Sequence, residues 1–245
     1  MINEAEFRRR VKRWISPLAR TPLHPQWLLS LRNGDRHKWA ASHVFGRVLD
    51  IGCADARARD FLVDSSQYVG IDFPSTASGM YRTLPDIFSD GAQLPFRDES
   101  FDAVLMLDVA EHLPKPEQAF SEAARVLRHG GILLITIPYA YPIHDAPYDF
   151  QRLTGFALSG RLTDSGFSEV KVSEVGAGFD TACAALCLVL AQWSAKAIVG
   201  RAIGVLLIPL ALFLVPIINV FGWVGSAIFK VQSFLPMGYQ VKAVR

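Results

Sequence analysis

Between residues 47 and 175, short apolar runs alternate with stretches whose apolar positions recur at helical spacing. Arg47-Val48-Leu49-Asp50-Ile51-Gly52 reads as a short buried strand ending in a tight turn, and Ala56 to Val63 as the helix after it. Gln67 to Ile71 is a second strand closed by Asp72, and Pro85 to Phe88 a weak third. Phe101 to Leu107 is almost wholly apolar, as expected of a strand covered on both faces. Pro116 suits the first position of a helix running to Leu127, with Arg128 and His129 in its last turn and Gly130-Gly131 ending it. Ile132 to Ile137 is a fifth strand, and Thr154 caps a helix that ends at Gly166. Phe167 to Val175 and Gly238 to Val244 are the sixth and seventh strands. Strands alternating with helices imply an α/β fold, a Rossmann-like, doubly wound and mostly parallel seven-stranded sheet.

Two stretches break this rhythm. Residues 4–15 suit an amphipathic helix, with Phe7, Val11, Trp14, Ile15 and Leu18 on one side and arginines on the other. A second short helix is expected over 33–43. Between the sixth and seventh strands, residues 178–235 are overwhelmingly apolar. The expected organisation is a basic N-terminal segment over 1–45, a sheet domain over 46–177 and 236–245, and a hydrophobic helical insert over 178–235. The insert accounts for a hydrophobic content of 51% and a mean hydropathy of +0.23.

Residues 202–229 are 28 consecutive positions without a charge, too long for a straight helix within a bilayer core of about 30 Å. Pro209 and Pro216 each predict a kink, and 181–195 is short for a span. A seventh strand returning to the sheet requires the insert to return to the side it left. The expectation is a re-entrant or interfacial hairpin at the cytoplasmic face of a membrane, anchored by Trp193, Trp223 and Lys230. The bland alternative is an apolar helix pair buried in a homodimer interface.

Net charge is +2, which gives no general argument for nucleic acid, and none is expected as a partner. Residues 1–47 nevertheless hold ten Lys/Arg against three acids, a local excess that suits an anionic surface: acidic lipid, a phosphorylated substrate or nucleic acid. Cys53, Cys183 and Cys187 show no metal-type spacing, so neither a metal centre nor a disulfide framework is expected. No apolar leader precedes Pro17, so no signal peptide is expected.

In an open α/β sheet, ligands sit beyond the carboxyl ends of the strands. The chemistry is therefore sought in the turns. The first is Asp50-Ile51-Gly52-Cys53-Ala54-Asp55-Ala56, where glycine allows close backbone approach. The second carries Asp72, able to accept both hydroxyls of a ribose, with Phe73 beside it. The third is Asp90-Gly91-Ala92-Gln93-Leu94-Pro95-Phe96, and the fourth Asp108-Val109-Ala110-Glu111-His112-Leu113. Each alone has an ordinary structural explanation as a strand-end cap, turn former or helix residue.

Together, and in this order, these residues resemble the class I S-adenosylmethionine-dependent methyltransferases, in particular the broad type 11-like group acting on small molecules and lipids. Val48 to Cys53 is similar to that family's glycine-rich first motif, and Tyr68 to Asp72 to its ribose-binding strand. Asp90 to Phe96 is similar to its adenine-contacting turn. Asp98-Glu99-Ser100-Phe101-Asp102 with Asp108 to Leu113 resembles its fourth-strand signature, and Arg125-Val126-Leu127 with Gly130-Gly131 its turn before strand five. The resemblance implies S-adenosylmethionine as cofactor, held by Asp50, Gly52, Cys53, Ala54, Asp72, Phe73, Asp90, Gly91, Ala92, Asp108 and His112. The family often has glycine where this chain has Ala54 and Ala56. Ala56 is harmless if its backbone is helical and costs cofactor affinity if φ is positive.

Residues 138–152 crowd Tyr139, Tyr141, Tyr148, His144, Asp145, Asp149 and Arg152 into a proline-stiffened loop after strand five. The loop resembles one in family members associated with cell-envelope glycan and lipid metabolism. It predicts an acceptor site with His144 as base and Asp145 and Tyr141 beside it. The expected function is methyl transfer, to oxygen, on a small-molecule, lipid or lipid-linked glycan acceptor at a membrane surface. The alternative is a non-catalytic, membrane-associated scaffold with a degenerate cofactor fold. A nicotinamide-dependent reductase or epimerase would carry GxGxxG after the first strand and Tyr-x-x-x-Lys, and neither is present.

Overall fold

A computed structural model of the chain describes residues 15–63, 66–81, 83–176, 178–200, 203–229 and 234–245. Residues 4–14 of the helix expected over 4–15, and the anchor Lys230, lie outside the described residues. The chain forms two compact units: residues 35–139, 143–174 and 238–245 make the sheet unit, and 1–34, 140–142 and 175–237 the helical unit.

The sheet unit contains β1 (Arg47–Ile51), β2 (Gln67–Asp72), β3 (Ile87–Phe88), β4 (Phe101–Leu107), β5 (Leu127–Pro138), β6 (Ser168–Val175) and β7 (Gly238–Val244). Their order is β3-β2-β1-β4-β5-β7-β6. β1 pairs in parallel with β2 and β4, β2 with β3, and β4 with β5, while β7 runs antiparallel to β5. The doubly wound, mostly parallel sheet expected from the alternation is therefore the observed fold.

Successive side chains on a strand point to opposite faces, and both faces here are buried. Leu49, Val104, Met106, Leu133 and Ile135 face a core completed by Phe120 and Ala123 of α3 (Pro116–Val126) and by Leu158 and Leu162 of α4 (Gly155–Asp164). Val48, Ala103, Leu105 and Leu134 face the other way, against Ala40 of α2 (Arg36–Ala41) and Val44. Phe120 is fully buried, and truncating such a side chain to alanine costs about 3–5 kcal/mol.

Local chemistry sets the ends. The Asp35 carboxylate caps α2 by accepting the His37 and Lys38 N–H groups, and Thr154 caps α4 by accepting that of Ala157. Two expected boundaries move. The helix after β1 is a single short turn, Arg57–Phe61, because Ala56 adopts a left-handed conformation (φ 54°, ψ 31°) that cannot belong to a right-handed helix. α3 ends at Val126, because Leu127 is already extended (φ −73°, ψ 144°), so Arg128 and His129 belong to β5 rather than to a last helical turn.

The helical unit contains α1 (Trp27–Asn33), α5 (Phe179–Val199) and α6 (Ile208–Ile228). α5 is a continuous 21-residue helix, longer than the charge-free run 181–195 suggested, because Asp180 and Lys196 are accommodated within it. At about 1.5 Å per residue it matches the bilayer core. α6 also has 21 residues: Pro209 lies in its first turn, where no backbone donor is lost, and the helix continues through Pro216.

The two long helices pack antiparallel. Gly222 lies against Cys183, where a Cβ would approach the Cys183 Cβ to 2.7 Å, and Cys187 Sγ lies 3.5 Å from Asn219 Oδ1. The N-terminal segment is tied to them by polar bonds. The fully buried Asn219 donates to the Pro22 and His24 carbonyls at 2.7 and 3.0 Å, and Arg32 pairs with Asp180 at 2.5 Å. α6 buries its small and polar side, Ala211, Val215, Asn219, Gly222 and Gly225, and turns Leu210, Phe213, Ile217, Val220, Phe221 and Ile228 outward.

Candidate functional site

The turns at the carboxyl ends of β1 and β2 are joined by hydrogen bonds. Gly52 and Cys53 donate their N–H groups to the Ile71 carbonyl at 2.9 and 3.0 Å. Gly52 has φ +71°, and a Cβ there would come within 2.5 Å of Val109 Cγ2, so only glycine fits. Asp72 is buried at the end of β2. Its Oδ2 accepts the Ala54 N–H at 3.0 Å, and its Oδ1 accepts the Phe73 N–H at 2.7 Å and the Thr76 hydroxyl at 3.2 Å. The carboxylate is thus held in one orientation with acceptor capacity remaining. Phe73 is exposed beside it.

Asp50 and Cys53 point inward. Asp50 accepts the Tyr68 hydroxyl at 2.7 Å, and burial raises its pKa to about 7 against the opposing effect of that bond. Burial pushes the Cys53 thiol up to about 12. Both side chains are buried, so what Asp50 and Cys53 present at this turn is mainly backbone. Ala54 and Ala56 both have positive φ, 47° and 54°. The condition under which Ala56 is harmless is therefore not met.

Asp90 forms a turn, its Oδ1 accepting the Ala92 N–H at 2.9 Å, and Gly91 packs over Ile51. The end of this loop is held by Arg125, which donates to the Leu94 and Phe96 carbonyls and to Asp98 and Glu122. Glu122 in turn accepts the Leu94 N–H. These bonds give a physical role to the arginine of the Arg125-Val126-Leu127 motif.

Beyond β4, Asp108 is left-handed (φ 58°), accepts the Thr136 hydroxyl at 2.7 Å and lies 3.2 Å from Arg36. Glu111 is fully buried, and among the described residues neither of its carboxylate oxygens has a hydrogen-bond partner. Burial, with the Asp108 charge adding to it, holds its pKa well above the usual carboxylate range. His112 and His144 face it, with Nε2 atoms 3.8 and 3.9 Å from Glu111 Oε1 and ring centroids 4.9 Å apart. His112 Nδ1 lies 2.9 Å from the Tyr148 carbonyl. His144 Nδ1 lies 3.2 Å from Asp149 Oδ2, which also accepts the His144 N–H. Arg152 grips both Asp149 oxygens and holds that carboxyl at about 2, mainly through these bonds.

The structure thus gathers His144 with Glu111, His112 and Asp149. Of the other two residues expected at the acceptor site, Asp145 stands exposed in the turn preceding Tyr148. Tyr141 belongs to the helical unit, where its hydroxyl accepts from Gln26 Nε2 at 3.0 Å and its ring packs with Leu28 and Met237. Glu111 and Arg36 were missed as site residues. The adjacency of Glu111 to His112 offered a signal for the first; Arg36, far from the motifs, offered none.

Residues 49–135 match the methyltransferase domain family. The chain is 30% identical over 134 residues to a probable S-adenosylmethionine-dependent methyltransferase of Mycobacterium tuberculosis, covering 50% of this chain and 49% of that one. It is 34% identical over 110 residues to a fatty-acid O-methyltransferase of Mycolicibacterium smegmatis, covering 41% and 39% respectively. It therefore spans half or less of the length of these relatives. Among solved structures, a SAM-dependent methyltransferase from Archaeoglobus fulgidus shares the fold, with a TM-score of 0.50 at 16% identity over 89% of this chain and 93% of that one. The turns after β1 and β2 fit such a cofactor: Asp72 is preset as an acceptor and Gly52 keeps the loop flat. Residues 49–135, within the seven-stranded sheet, thus make a methyltransferase domain, and the relatives that share it are S-adenosylmethionine-dependent methyltransferases.

Proposed function

We propose that the protein methylates an oxygen of a lipid, lipid-linked glycan or similar small acceptor at the cytoplasmic face of a membrane. The observation that carries this reading is the outward face of α6. Leu210, Phe213, Ile217, Val220, Phe221 and Ile228 are solvent-facing while a polar asparagine is buried, the reverse of a water-soluble helix. Both α5 and α6 are long and apolar enough to cross a bilayer by length and composition, and 22% of each such stretch is buried. The fatty-acid O-methyltransferase among the relatives supports an apolar acceptor. Trp193 and Trp223, both exposed, suit the interface.

In this reading the backbone of Gly52, Cys53 and Ala54 lines the cofactor loop, Asp72 takes the ribose hydroxyls and Asp90 to Ala92 meet the adenine. Phe73 flanks the ribose side, and Asp108 and His112 border the methyl-donor end. The cofactor, when bound, supplies a methyl group on a sulfonium. Transfer is an in-line displacement, so the protein's work is mostly positioning. The acceptor oxygen must also lose its proton, and the Glu111–His112–His144 cluster, with Asp149 behind His144, is the polar group assigned to that end. A basic N-terminal segment would add attraction to anionic lipid, about 1 kcal/mol per cation near the surface.

The test is vesicle flotation of the full-length protein, followed by transfer of labelled methyl from S-adenosylmethionine into a lipid extract. The wild type floats and labels the organic phase, whereas Phe213→Asp with Val220→Asp stays at the bottom. A wild type that remains as a detergent-free soluble dimer overturns the membrane reading. The left-handed Ala54 and Ala56 favour a second reading, a non-catalytic membrane scaffold, and calorimetry showing no cofactor binding would select it.

A further inference from the structure

Glu111, His112 and His144 offer one oxygen and two nitrogen donor atoms, all within 4.8 Å of one another. We propose that they form a binding site for a divalent transition metal of the zinc type, with an open coordination position.

Three observations carry the assignment. The first is Glu111. A carboxylate with no hydrogen-bond partner among the described residues, and no exposure, needs a proton or a cation. Its Oε1 points at both imidazoles. The second is the orientation of the rings. A metal-bound histidine generally gives its other ring N–H to a carboxylate or a backbone carbonyl, which fixes the tautomer. His112 Nδ1 faces the Tyr148 carbonyl at 2.9 Å, which leaves its Nε2 lone pair for a metal; His144 Nδ1 lies 3.2 Å from Asp149 Oδ2 and 3.5 Å from the Arg152 guanidinium, and the closer Asp149 contact gives His144 the same tautomer. The third is chemistry. Two imidazoles and one carboxylate suit zinc-type ions, and three protein ligands leave a position for water or substrate.

The two distances from Glu111 agree to within a small adjustment, and all three donors lie within 4.8 Å of one another. Ligand bonds of about 2.1 Å in a tetrahedral site put donors about 3.4 Å apart. The observed Nε2 to Oε1 separations of 3.8 and 3.9 Å require the side chains to close by a few tenths of an ångström. Surrounding charges allow a cation. Asp149 is paired with Arg152 and Asp108 faces Arg36, leaving Glu111 as the unmatched group. The ligands come from the ends of β4 and β5, the acceptor end of the proposed function. There an acceptor oxygen bound at the open position would lose its proton more easily, as metal-bound water does. His144 is then a ligand rather than a free base. The catalytic consequence rests on the methyl-transfer reading; the metal site does not.

The test uses full-length protein in detergent, stripped with a chelator and titrated with Zn2+ by calorimetry, then with Co2+ by visible absorption. One ion binds per chain, with micromolar affinity or tighter, and Co2+ develops the bands of a four- or five-coordinate site. Glu111→Gln and His144→Ala each weaken Zn2+ binding at least tenfold. His129→Ala, at an exposed histidine, leaves it unchanged. S-adenosylmethionine binding by the stripped variants reports that they are folded. Absence of stoichiometric uptake by the wild type overturns the proposal. So does uptake indifferent to both Glu111→Gln and His144→Ala, or unchanged Zn2+ binding in Glu111→Gln should His144→Ala fail to fold. Metal uptake without methyl transfer supports this site and removes the methyl-transfer reading; methyl transfer by a chain that takes up no metal does the reverse.

Discussion

The turns after β1 and β2 differ in kind from those after β4 and β5. At the first pair, the Asp72 carboxylate is already occupied by two backbone N–H groups and a hydroxyl, and Gly52 and Cys53 share one carbonyl. This half is prearranged, and a ligand need only add to bonds that exist. At the second pair, Glu111 is buried with no partner for either oxygen among the described residues. A buried polar group left this way costs about 1–3 kcal/mol, so this half is held at a loss until something joins it. One half is built for a constant ligand and the other is completed by what arrives. The contrast supports the proposed placement of cofactor and acceptor at opposite ends of the site.

The largest expected effect tests the satisfied half. On the proposed function, Asp72→Ala removes both ribose acceptors, each charge-assisted bond worth about 1.5–3 kcal/mol. Cofactor affinity falls tenfold or more by calorimetry. Unchanged affinity would remove Asp72 from the site.

The next sharpens the other half. In metal-free protein, Glu111→Met replaces an unpartnered buried carboxylate with an apolar group of similar shape. Stability to urea should rise by about 1–3 kcal/mol, because no partner is orphaned in return. A loss of stability would mean that Glu111 is satisfied in solution and that the two halves do not differ.

Much of this arrangement is legible in the sequence. The strands β1, β4 and β7 lie where their apolar runs place them, and the turns carrying Gly52, Asp72, Asp90 and Asp108 follow in the expected order. What is not legible depends on tertiary contact. His144 meets His112 across 32 positions (144 − 112), through the path of a loop that local pattern does not encode. Tyr141 lies in that same loop yet packs with Leu28, because the chain passes through the helical unit for residues 140–142. The link from Asn219 to residues 22–24 spans nearly the whole chain. The positive φ at Ala54 and Ala56 runs against residue preference and could only be posed as a condition.

A smaller effect comes from Asp50, buried beneath the cofactor turn. Its folded pKa of about 7 exceeds the ordinary 3.8, so the folded state binds the extra proton. The stabilisation linked to that proton is present below about pH 4 and is lost as pH rises through 7. Asp50→Asn keeps the acceptor for the Tyr68 hydroxyl without the buried charge. The variant's gain over wild type should be larger at pH 8 than at pH 5. Urea melts at the two values check the trend, and a gain that shrinks with rising pH would contradict it.

The smallest effect concerns strain in the half that otherwise looks complete. Ala56 holds φ 54° and ψ 31°, where a Cβ costs about 1–2 kcal/mol. Its N–H donates to the Cys53 carbonyl at 2.7 Å, which keeps the turn closed in spite of that cost. Glycine relieves the strain but loses about 0.5–1 kcal/mol through the freer unfolded chain. Ala56→Gly should therefore stabilise the protein by about 0.5–1 kcal/mol, raising Tm by a few degrees. Ala54 is a poorer test, because its N–H is bonded to Asp72 and any change there also reaches the ribose acceptor. Cofactor affinity in Ala56→Gly should be equal or slightly higher, since the loop keeps its shape with less opposing strain. A lower Tm would show that the turn after β1 relaxes out of the left-handed region in solution. Alanine would then be tolerated there for the ordinary reason, and the strain in this turn would be confined to Ala54.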